Sequence, residues 1–316
     1  MAKQRIQLLF SIFAVFLISF LYMNLQYDPL ARNASVTSSN RAKLLRFLDQ
    51  EEQLYLVEQH IDVSLFEEFL EEPMFHLKQY KLYRMAMDLK PASPKEIVTF
   101  VNAVADRIEL ESLMIAIPNY EYGVLRKLIV DHSPYNHNAD IILNPNDITV
   151  QLDLKRTIGE YEPSDLVLLH QYAHIPVYDD ALQLRKEVAD QLDSFCAVLE
   201  RETNVPCGGF TVQQAYLSYY EIQDAYLDEI ARSGAQKAFD LWGLPSHNEH
   251  QLGLAVDVTG FDLELLTQKA GEYGFLAGSS EEAPFAHIQD QFHLRYVGVE
   301  KAKECLEHGR CFNNEN

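Results

Sequence analysis

The sequence predicts an α+β protein in which a small antiparallel sheet packs with helices, preceded by a helical stalk and one N-terminal transmembrane helix. An uncharged, apolar stretch covers residues 6–25 and is long enough to span a bilayer as a helix. Helical periodicity extends over residues 42–89 and again over 180–200. Two β-branched, apolar runs at residues 254–258 and 292–298 predict the strands of the sheet.

The N-terminal stretch predicts a signal anchor. Lys3 and Arg5 precede the apolar span, so the positive-inside rule leaves residues 1–5 as a cytoplasmic tail. No clear small-x-small cleavage site follows, which favours a retained anchor over a cleaved signal peptide. We therefore expect a single-pass protein of the cell membrane, held there by residues 6–25, with its C-terminal domain outside the cell.

The charge of the chain bounds its partners. The 316 residues carry a formal net charge of −21. A nucleic-acid partner is excluded because a phosphate backbone requires a basic surface. A large negative net charge also keeps a protein soluble, so it does not identify a partner by itself.

The region before the predicted sheet divides into a helical stalk or spacer at residues 26–90 and a connector at 91–159. The helical pattern of the stalk nominates as buried residues Leu44, Leu45, Leu48, Leu54, Leu56, Val57, Ile61, Phe66, Phe69 and Leu70. In the connector, Ser93, Pro94 and Glu96 form the start signal of a helix with a capping box. Apolar runs at 128–130 and 141–143 predict strands or extended connectors.

The C-terminal half predicts further elements. An amphipathic helix is expected at 180–200, a strand at 205–210 and a tyrosine-rich helix at 213–232 that ends near Gly234.

Two histidines and one aspartate are candidate metal ligands. His250 and Asp257 lie seven residues apart around a glycine, and His293 lies in the last predicted strand. An aspartate within an apolar strand is unfavourable unless a cation meets it. Two histidines and one carboxylate leave a fourth position for water, which is typical of catalytic Zn²⁺. Asp290 lies three residues before His293 and is the candidate general base.

A second histidine pair, His170 and His174, has the i, i+4 spacing that two ligands on one helix face would need. The zinc-protease signature requires a glutamate after the first histidine, whereas this chain has Gln171. Pro176 follows closely and disfavours a long helix. We therefore interpret this stretch as structural.

The two ligand-bearing segments resemble a known family. N-E-H-Q-L-G-L-A-V-D (248–257) resembles the S-x-H-x-x-G-x-A-x-D signature of VanY-type zinc D-alanyl-D-alanine carboxypeptidases, and D-Q-F-H-L-R-Y-V-G (290–298) resembles their E-P-W-H-x-R-Y-V-G. The resemblance implies a zinc peptidase domain at 160–312, with His250, Asp257 and His293 as zinc ligands and Asp290 as base and proton shuttle.

Several positions depart from the family pattern. Thr211 stands where the family has a substrate-binding arginine, and Asn248 stands in place of the signature serine. Asp290 replaces a glutamate, and Gln291 replaces the proline that would bend the chain toward the metal. The resemblance places Thr211, Asn248 and Arg295 at the substrate. Threonine has neither the charge nor the bidentate geometry of arginine, so the departure bears on substrate choice and on turnover.

The family implies a zinc-dependent carboxypeptidase that removes a C-terminal D-alanine from peptidoglycan stem peptides. Two alternatives remain open. One is L,D-carboxypeptidase or endopeptidase action on cell-wall peptides, and the other is a zinc-containing domain that binds such peptides without cutting them.

The four cysteines all lie in the C-terminal half. In an oxidising compartment, the near pairs Cys196–Cys207 and Cys305–Cys311 are plausible disulfides, although four cysteines allow three connectivities.

Overall fold

The computed structural model describes residues 12–20, 28–260, 263–278 and 292–308. The chain divides into two compact units, Met1–Asn102 and Ala103–Asn316. The sequence placed its domain boundaries at 90/91 and 159/160 instead. Residues 103–159 therefore group with the predicted peptidase domain rather than forming a separate connector.

The predicted transmembrane helix extends beyond the described residues. Residues 12–20 are helical, whereas 6–11 and 21–25 lie outside the described ranges. Within those ranges, no helix combines the length and the apolar composition needed to cross a bilayer. The membrane span at 6–25 stays a prediction.

The first unit contains several short helices, whereas the sequence predicted a helical pattern over 42–89 with a break at Pro73. The helices are α1 (Arg41–Phe47), α2 (Gln50–Glu58), α3 (Tyr80–Leu89) and most of α4 (Pro94–Val104). Asp49 accepts a hydrogen bond from the Glu52 backbone and forms a capping box that starts α2. The predicted cap of α4 is confirmed, because Ser93 Oγ accepts from Glu96 N at 3.3 Å.

Aliphatic and aromatic side chains together form the buried interior of this unit. Phe66 and Phe69 are fully buried, and the rings of Phe69 and Tyr83 lie 5.6 Å apart. Most of the nominated core residues are buried, namely Leu44, Leu48, Leu56, Ile61, Phe66, Phe69 and Leu70. Leu45 is exposed, because it follows Leu44 directly in α1 and therefore points away from the face that Leu44 buries.

The second unit contains the remaining elements. Its helices after α4 are α5 (Leu110–Ala116), α6 (Tyr122–Asp131), α7 (Lys186–Thr203), α8 (Tyr219–Ser233), α9 (Ala235–Trp242), α10 (Leu263–Ala270) and α11 (Val299–His308). Its strands are β1 (Asp140–Ile141), β2 (Arg156–Thr157), β3 (Leu166–Leu168), β4 (Gln183–Arg185), β5 (Thr211–Gln214), β6 (Ala255–Thr259), β7 (Phe275–Gly278) and β8 (Phe292–Tyr296).

Strands β5 to β8 form the predicted small antiparallel sheet. Their order is β5-β6-β8-β7, and every neighbouring pair is antiparallel. The strand pairs β1-β2 and β3-β4 form two smaller sheets. The mixture of helices and small sheets agrees with the predicted α+β class.

Four local predictions are wrong. The helix expected from residue 213 begins at Tyr219, because Thr211–Gln214 forms β5. Residues 128–130 lie in α6 rather than in a strand, because a short apolar run does not distinguish a buried helix from a strand. The helix expected from 180 begins at Lys186, since Gln183–Arg185 pairs with β3. The strand expected at 205–210 is a tight turn at Pro206–Gly209, and β5 begins only at Thr211.

A disulfide joins this turn to α7. It links Cys196 in the helix to Cys207, which is one of the near pairs that the sequence suggested. The residue Cys305 is buried in α11, while Cys311 lies outside the described residues, so a bond between them stays a prediction.

Candidate metal centre

The register of the sheet brings two of the candidate ligands together. Asp257 on β6 lies directly opposite His293 on β8, and Gln214 on β5 lies opposite Asp257 on the other side. Directly opposed residues of antiparallel strands project to the same face. The register of β5 shifts between Val212 and Gln214, and such irregularities change the direction of side chains next to functional sites.

The third candidate ligand, His250, lies in a short 3-10 turn at Glu249–Leu252 that precedes β6. Asn248 caps this turn, because its Oδ1 accepts from His250 N at 2.9 Å. The other end of the same amide donates to the Trp242 carbonyl at 2.6 Å. The turn is therefore tied to the end of α9.

Gly253 ends the turn and explains the glycine in this motif. Its φ is +66°, a conformation that side chains rarely adopt. A Cβ atom at this position would lie 3.0 Å from Arg185 Cγ and 3.2 Å from Leu166 Cδ2. A larger residue would displace the turn from β3 and β4 and move His250 with it.

The orientation of His250 is set by its own hydrogen bonds. Its Nδ1 lies 2.7 Å from the Ala215 carbonyl oxygen, so Nδ1 carries the proton and donates it. Its backbone oxygen accepts from Leu217 N at 3.3 Å. Its Nε2 is left to face Asp257, as in a metal-ligating histidine held by an outer-shell carbonyl.

The three side chains converge on one point. His250, Asp257 and His293 each offer a ligand atom, and these atoms all lie within 4.8 Å of one another. Among the residues that the structure describes, this is the one cluster of histidine, cysteine and carboxylate groups with such spacing. All three residues are buried.

The atoms at the centre fit a zinc ion. His250 Nε2 and Asp257 Oδ2 lie 3.3 Å apart, yet neither makes a hydrogen bond although both are buried. Buried polar atoms without partners are rare and unfavourable. A zinc ion bound by two imidazole nitrogens and a carboxylate oxygen would satisfy both.

The charges of the cluster are strongly coupled in the metal-free state. Burial alone would raise the pKa of Asp257, but His250 and His293 lower it well below its usual range. Burial likewise opposes the charged form of His293, while hydrogen bonds and charges from Asp257 and Glu249 raise its pKa to about 9. Without metal, His293 therefore holds a proton between two carboxylates.

Sequence reasoning missed Glu249. This side chain is buried, and its two oxygens accept from His293 Nε2 and Arg295 Nε, each at 3.1 Å. Its neighbours lie more than forty positions away in the chain. The only sequence signal was an acidic residue directly before a ligand histidine, which is uninformative without the sheet register.

The predicted substrate residues lie in different surroundings. Thr211 is half-buried at the first position of β5, opposite Thr259. The hydrogen bonds of Asn248 serve the turn, and those of the buried Arg295 reach Glu249 and backbone carbonyls. Asp290 lies outside the described residues. Substrate contact by Thr211, Asn248 and Arg295 stays a prediction, as does the role of Asp290.

Residues of the predicted connector reach the centre. Gln251 in the turn is fully buried, and its Nε2 donates to the carbonyls of Gly159 at 2.7 Å and Tyr161 at 3.0 Å. His247 Nδ1 lies 2.9 Å from the Asp153 carbonyl. The segment around residues 153–161 thus supports the loop that carries His250.

The second histidine pair makes structural contacts. His170 Nδ1 contacts the Asp180 carbonyl at 2.7 Å, and His174 Nδ1 contacts Glu200 Oε2 at 2.9 Å. Neither residue belongs to the metal cluster found within the described ranges.

Comparison with known proteins gives one significant curated relative. No protein-family model matches the chain. The Bacillus subtilis (strain 168) protein "Putative carboxypeptidase YodJ" is 28% identical over 183 residues, which cover 52% of this chain and 65% of that protein. The match therefore spans just under two thirds of the relative's length.

Solved structures with a similar fold are those of cell-wall peptidases. The LD-carboxypeptidase LdcB, whose structure addresses peptidoglycan recognition, is 24% identical with a TM-score of 0.47, covering 54% of this chain and 86% of that chain. VanYB in complex with D-alanine-D-alanine is 17% identical with a TM-score of 0.42, covering 53% and 98%. The similarity to carboxypeptidases that the two motifs predicted is borne out by the sequence relative, which carries the name "Putative carboxypeptidase YodJ".

Proposed function

We propose that the protein is a zinc-dependent carboxypeptidase that removes a C-terminal D-alanine from peptidoglycan stem peptides. The observation that carries the proposal is the convergence of His250, Asp257 and His293 within 4.8 Å, with two buried atoms lacking hydrogen-bond partners at its centre. The relationship to a carboxypeptidase supports the reaction class.

In the proposed reaction, His250, Asp257 and His293 hold the ion. When bound, zinc supplies Lewis-acid activation of water and of the scissile carbonyl. Asp290 takes the proton of the attacking water and returns it to the departing amine. Thr211, in place of an arginine, offers the substrate carboxylate a hydroxyl donor rather than a charged pair.

Cleavage of defined peptides tests this proposal. The ectodomain, supplied with about one equivalent of zinc, is incubated with a stem pentapeptide ending in D-Ala-D-Ala and with the corresponding tetrapeptide, and products are identified by mass spectrometry. Loss of one alanine from the pentapeptide is the expected result. The matched control is Asp257→Asn, which keeps the size of the side chain and removes its charge.

The other outcomes correct the proposal in defined ways. Cleavage of the tetrapeptide alone would replace it with L,D-carboxypeptidase action, and cuts within the peptide would indicate an endopeptidase. Peptide binding without any cleavage by the zinc-loaded protein would indicate a non-catalytic binding domain.

We further propose that the protein is anchored in the cell membrane with this domain outside. The Cys196–Cys207 disulfide supports an oxidising compartment, where such bonds persist. The test is protease treatment of intact cells, which should remove the C-terminal domain and leave a membrane-bound fragment. A domain that is digested only after lysis would place it inside the cell.

A further inference from the structure

The buried carboxylate of Glu249 joins a metal ligand to a buried cation. Its Oε2 accepts from His293 Nε2 and its Oε1 from Arg295 Nε. A buried carboxylate is unfavourable unless it is paired and hydrogen-bonded. Here each oxygen has its own charged or chargeable partner, so the group is satisfied in a single orientation.

The guanidinium of Arg295 donates hydrogen bonds from all three of its nitrogens. Its side chain is fully buried, and Nη2 donates to the Ile148 carbonyl at 3.2 Å and the Val150 carbonyl at 2.9 Å. Its Nη1 donates to the carbonyl of Tyr296. Because the planar guanidinium is anchored at three nitrogens, it provides a fixed positive charge against which Glu249 is held.

The two ligand histidines therefore have different outer partners. His250 is held by a neutral carbonyl, that of Ala215, whereas His293 is held by the Glu249 carboxylate. A carboxylate that accepts the outer N–H of a ligating imidazole fixes its ring and raises its basicity. With Nε2 held in this way, His293 directs Nδ1 toward Asp257, 2.9 Å from Oδ1.

We infer that Glu249 is a positioning residue that orients His293 for zinc binding, and that Arg295 is its fixed counter-charge. This inference rests on the proposed zinc function. It also gives Arg295 an internal role, in place of the substrate contact that the motif implied.

The test measures zinc affinity by competition with a chromophoric chelator, without any activity assay. Glu249→Gln should weaken zinc binding by about 10–100-fold, as is usual when an outer-shell partner is lost. The cobalt-substituted protein should also show a changed visible absorption spectrum, because the field of the His293 donor changes. Glu249→Asp keeps the charge next to Arg295, so its zinc affinity should lie between those of the wild type and Glu249→Gln.

Glu187→Gln is the matched control. Glu187 in α7 accepts from Tyr296 Oη at 2.8 Å, so it also contacts β8 next to Arg295 but touches no ligand. This variant should retain the zinc affinity and the cobalt spectrum of the wild type. An equal loss in Glu187→Gln would mean that general damage to β8 lowers affinity, and would overturn the inference.

A double variant separates positioning from folding. Glu249→Gln alone leaves the Arg295 charge buried without its carboxylate, which destabilises the fold. Glu249→Gln/Arg295→Met removes both charges and should fold better than the single variant, yet bind zinc as weakly. Return of the double variant to wild-type affinity would show that Glu249 serves only Arg295.

Two outcomes distinguish this inference from the proposed function. A wild-type protein that binds no zinc would refute the proposed function itself. A wild type that binds zinc, together with Glu249→Gln and Glu249→Asp variants of unchanged affinity and unchanged cobalt spectrum, would overturn the positioning role alone.

Discussion

The interior of the first unit and the metal centre of the second differ in what they bury. Among the described residues up to Asn102, the buried polar side chains are Asn33 and Asn40, both neutral. The metal centre buries five ionisable side chains around one point, namely Glu249, His250, Asp257, His293 and Arg295.

The difference is the one expected between an interior that stabilises a fold and an interior that holds a functional site. Burial of Phe66 and Phe69 stabilises the first unit through apolar area removed from water. Buried charges contribute little or even destabilise a fold, and hydrophobic replacements of similar volume often match them. A concentration of such groups with displaced pKa values is therefore evidence for a functional site.

Loss of a ligand should have the largest effect. In Asp257→Asn the shape of the side chain remains while its charge is lost, so zinc affinity should fall by more than the roughly 100-fold expected for an outer-shell partner. Elemental analysis after gel filtration should find the wild type with about one zinc per chain and the variant with almost none. Full occupancy in the variant would remove Asp257 from the ligand set.

Truncation of an aromatic core residue should have the second-largest effect. It should lower stability and leave zinc content unchanged, whereas Asp257→Asn removes zinc. Phe69→Ala should lower the free energy of unfolding of the first unit by about 3–5 kcal/mol, because Phe69 is fully buried against the Tyr83 ring. Zinc content should not change. Urea denaturation followed by circular dichroism gives the first quantity, and loss of zinc from the folded variant would contradict the separation of the two interiors.

The stability of the metal-free protein should depend on pH through the proton that His293 binds. The folded pKa of about 9 lies above the ordinary value of 6.5, so this stabilisation is fully present below pH 6.5 and is lost as pH rises through 9. The loss should be on the order of 3 kcal/mol, since each pKa unit corresponds to about 1.4 kcal/mol. Denaturation in the presence of a chelator measures it, and the zinc-loaded protein should lack this decline.

The pKa shift of the neighbouring His247 does not interfere with this pH test. Burial lowers the pKa of His247, so its contribution to stability rises with pH and is complete near pH 6.5. A metal-free protein whose stability is constant between pH 6.5 and 9 would contradict the coupling of His293 to its two carboxylates.

The smallest expected effect concerns a buried neutral group. Asn33 Nδ2 donates to the Ile61 carbonyl at 2.8 Å, and its Oδ1 accepts from Ser35 N at 2.9 Å. Asn33→Ala should lower the stability of the first unit by about 1–2 kcal/mol, because buried partners lose their hydrogen bonds. The same denaturation assay measures it, and zinc content should again stay constant.

Much of the sheet and of the ligand set could be predicted from local sequence. The two motifs are short and local, so residue type and the family resemblance together singled out His250, Asp257 and His293, which the structure brings together. Caps were predictable for the same reason, since Ser93 and Glu96 interact over three residues. The capping box at Ser218, which starts the helix at 219–233, was missed, because the helix was expected to begin at residue 213.

The errors arose where distant contacts decide local structure. Residues 183–185 were assigned to a helix because their apolar pattern continues that of α7, but pairing with Leu166–Leu168 makes them a strand. Glu249 could not be recognised because its partners are on β8, and the register that aligns them is a property of the folded sheet. The internal contacts of Arg295 have the same origin.

The backbone carbonyls that accept hydrogen bonds from Arg295 and Gln251 limit how far the protein can be shortened. Ile148, Val150 and Gly159 all precede residue 160, where the motif-based domain would start. A recombinant fragment cut at 160 would lack both carbonyls that accept from Arg295 Nη2 and one of the two carbonyls that accept from Gln251 Nε2. The smallest fragment expected to fold with its metal site intact starts near residue 103, where the compact unit begins. A fusion protein that uses the predicted peptidase domain must therefore also include the part of the connector from residue 103 onward.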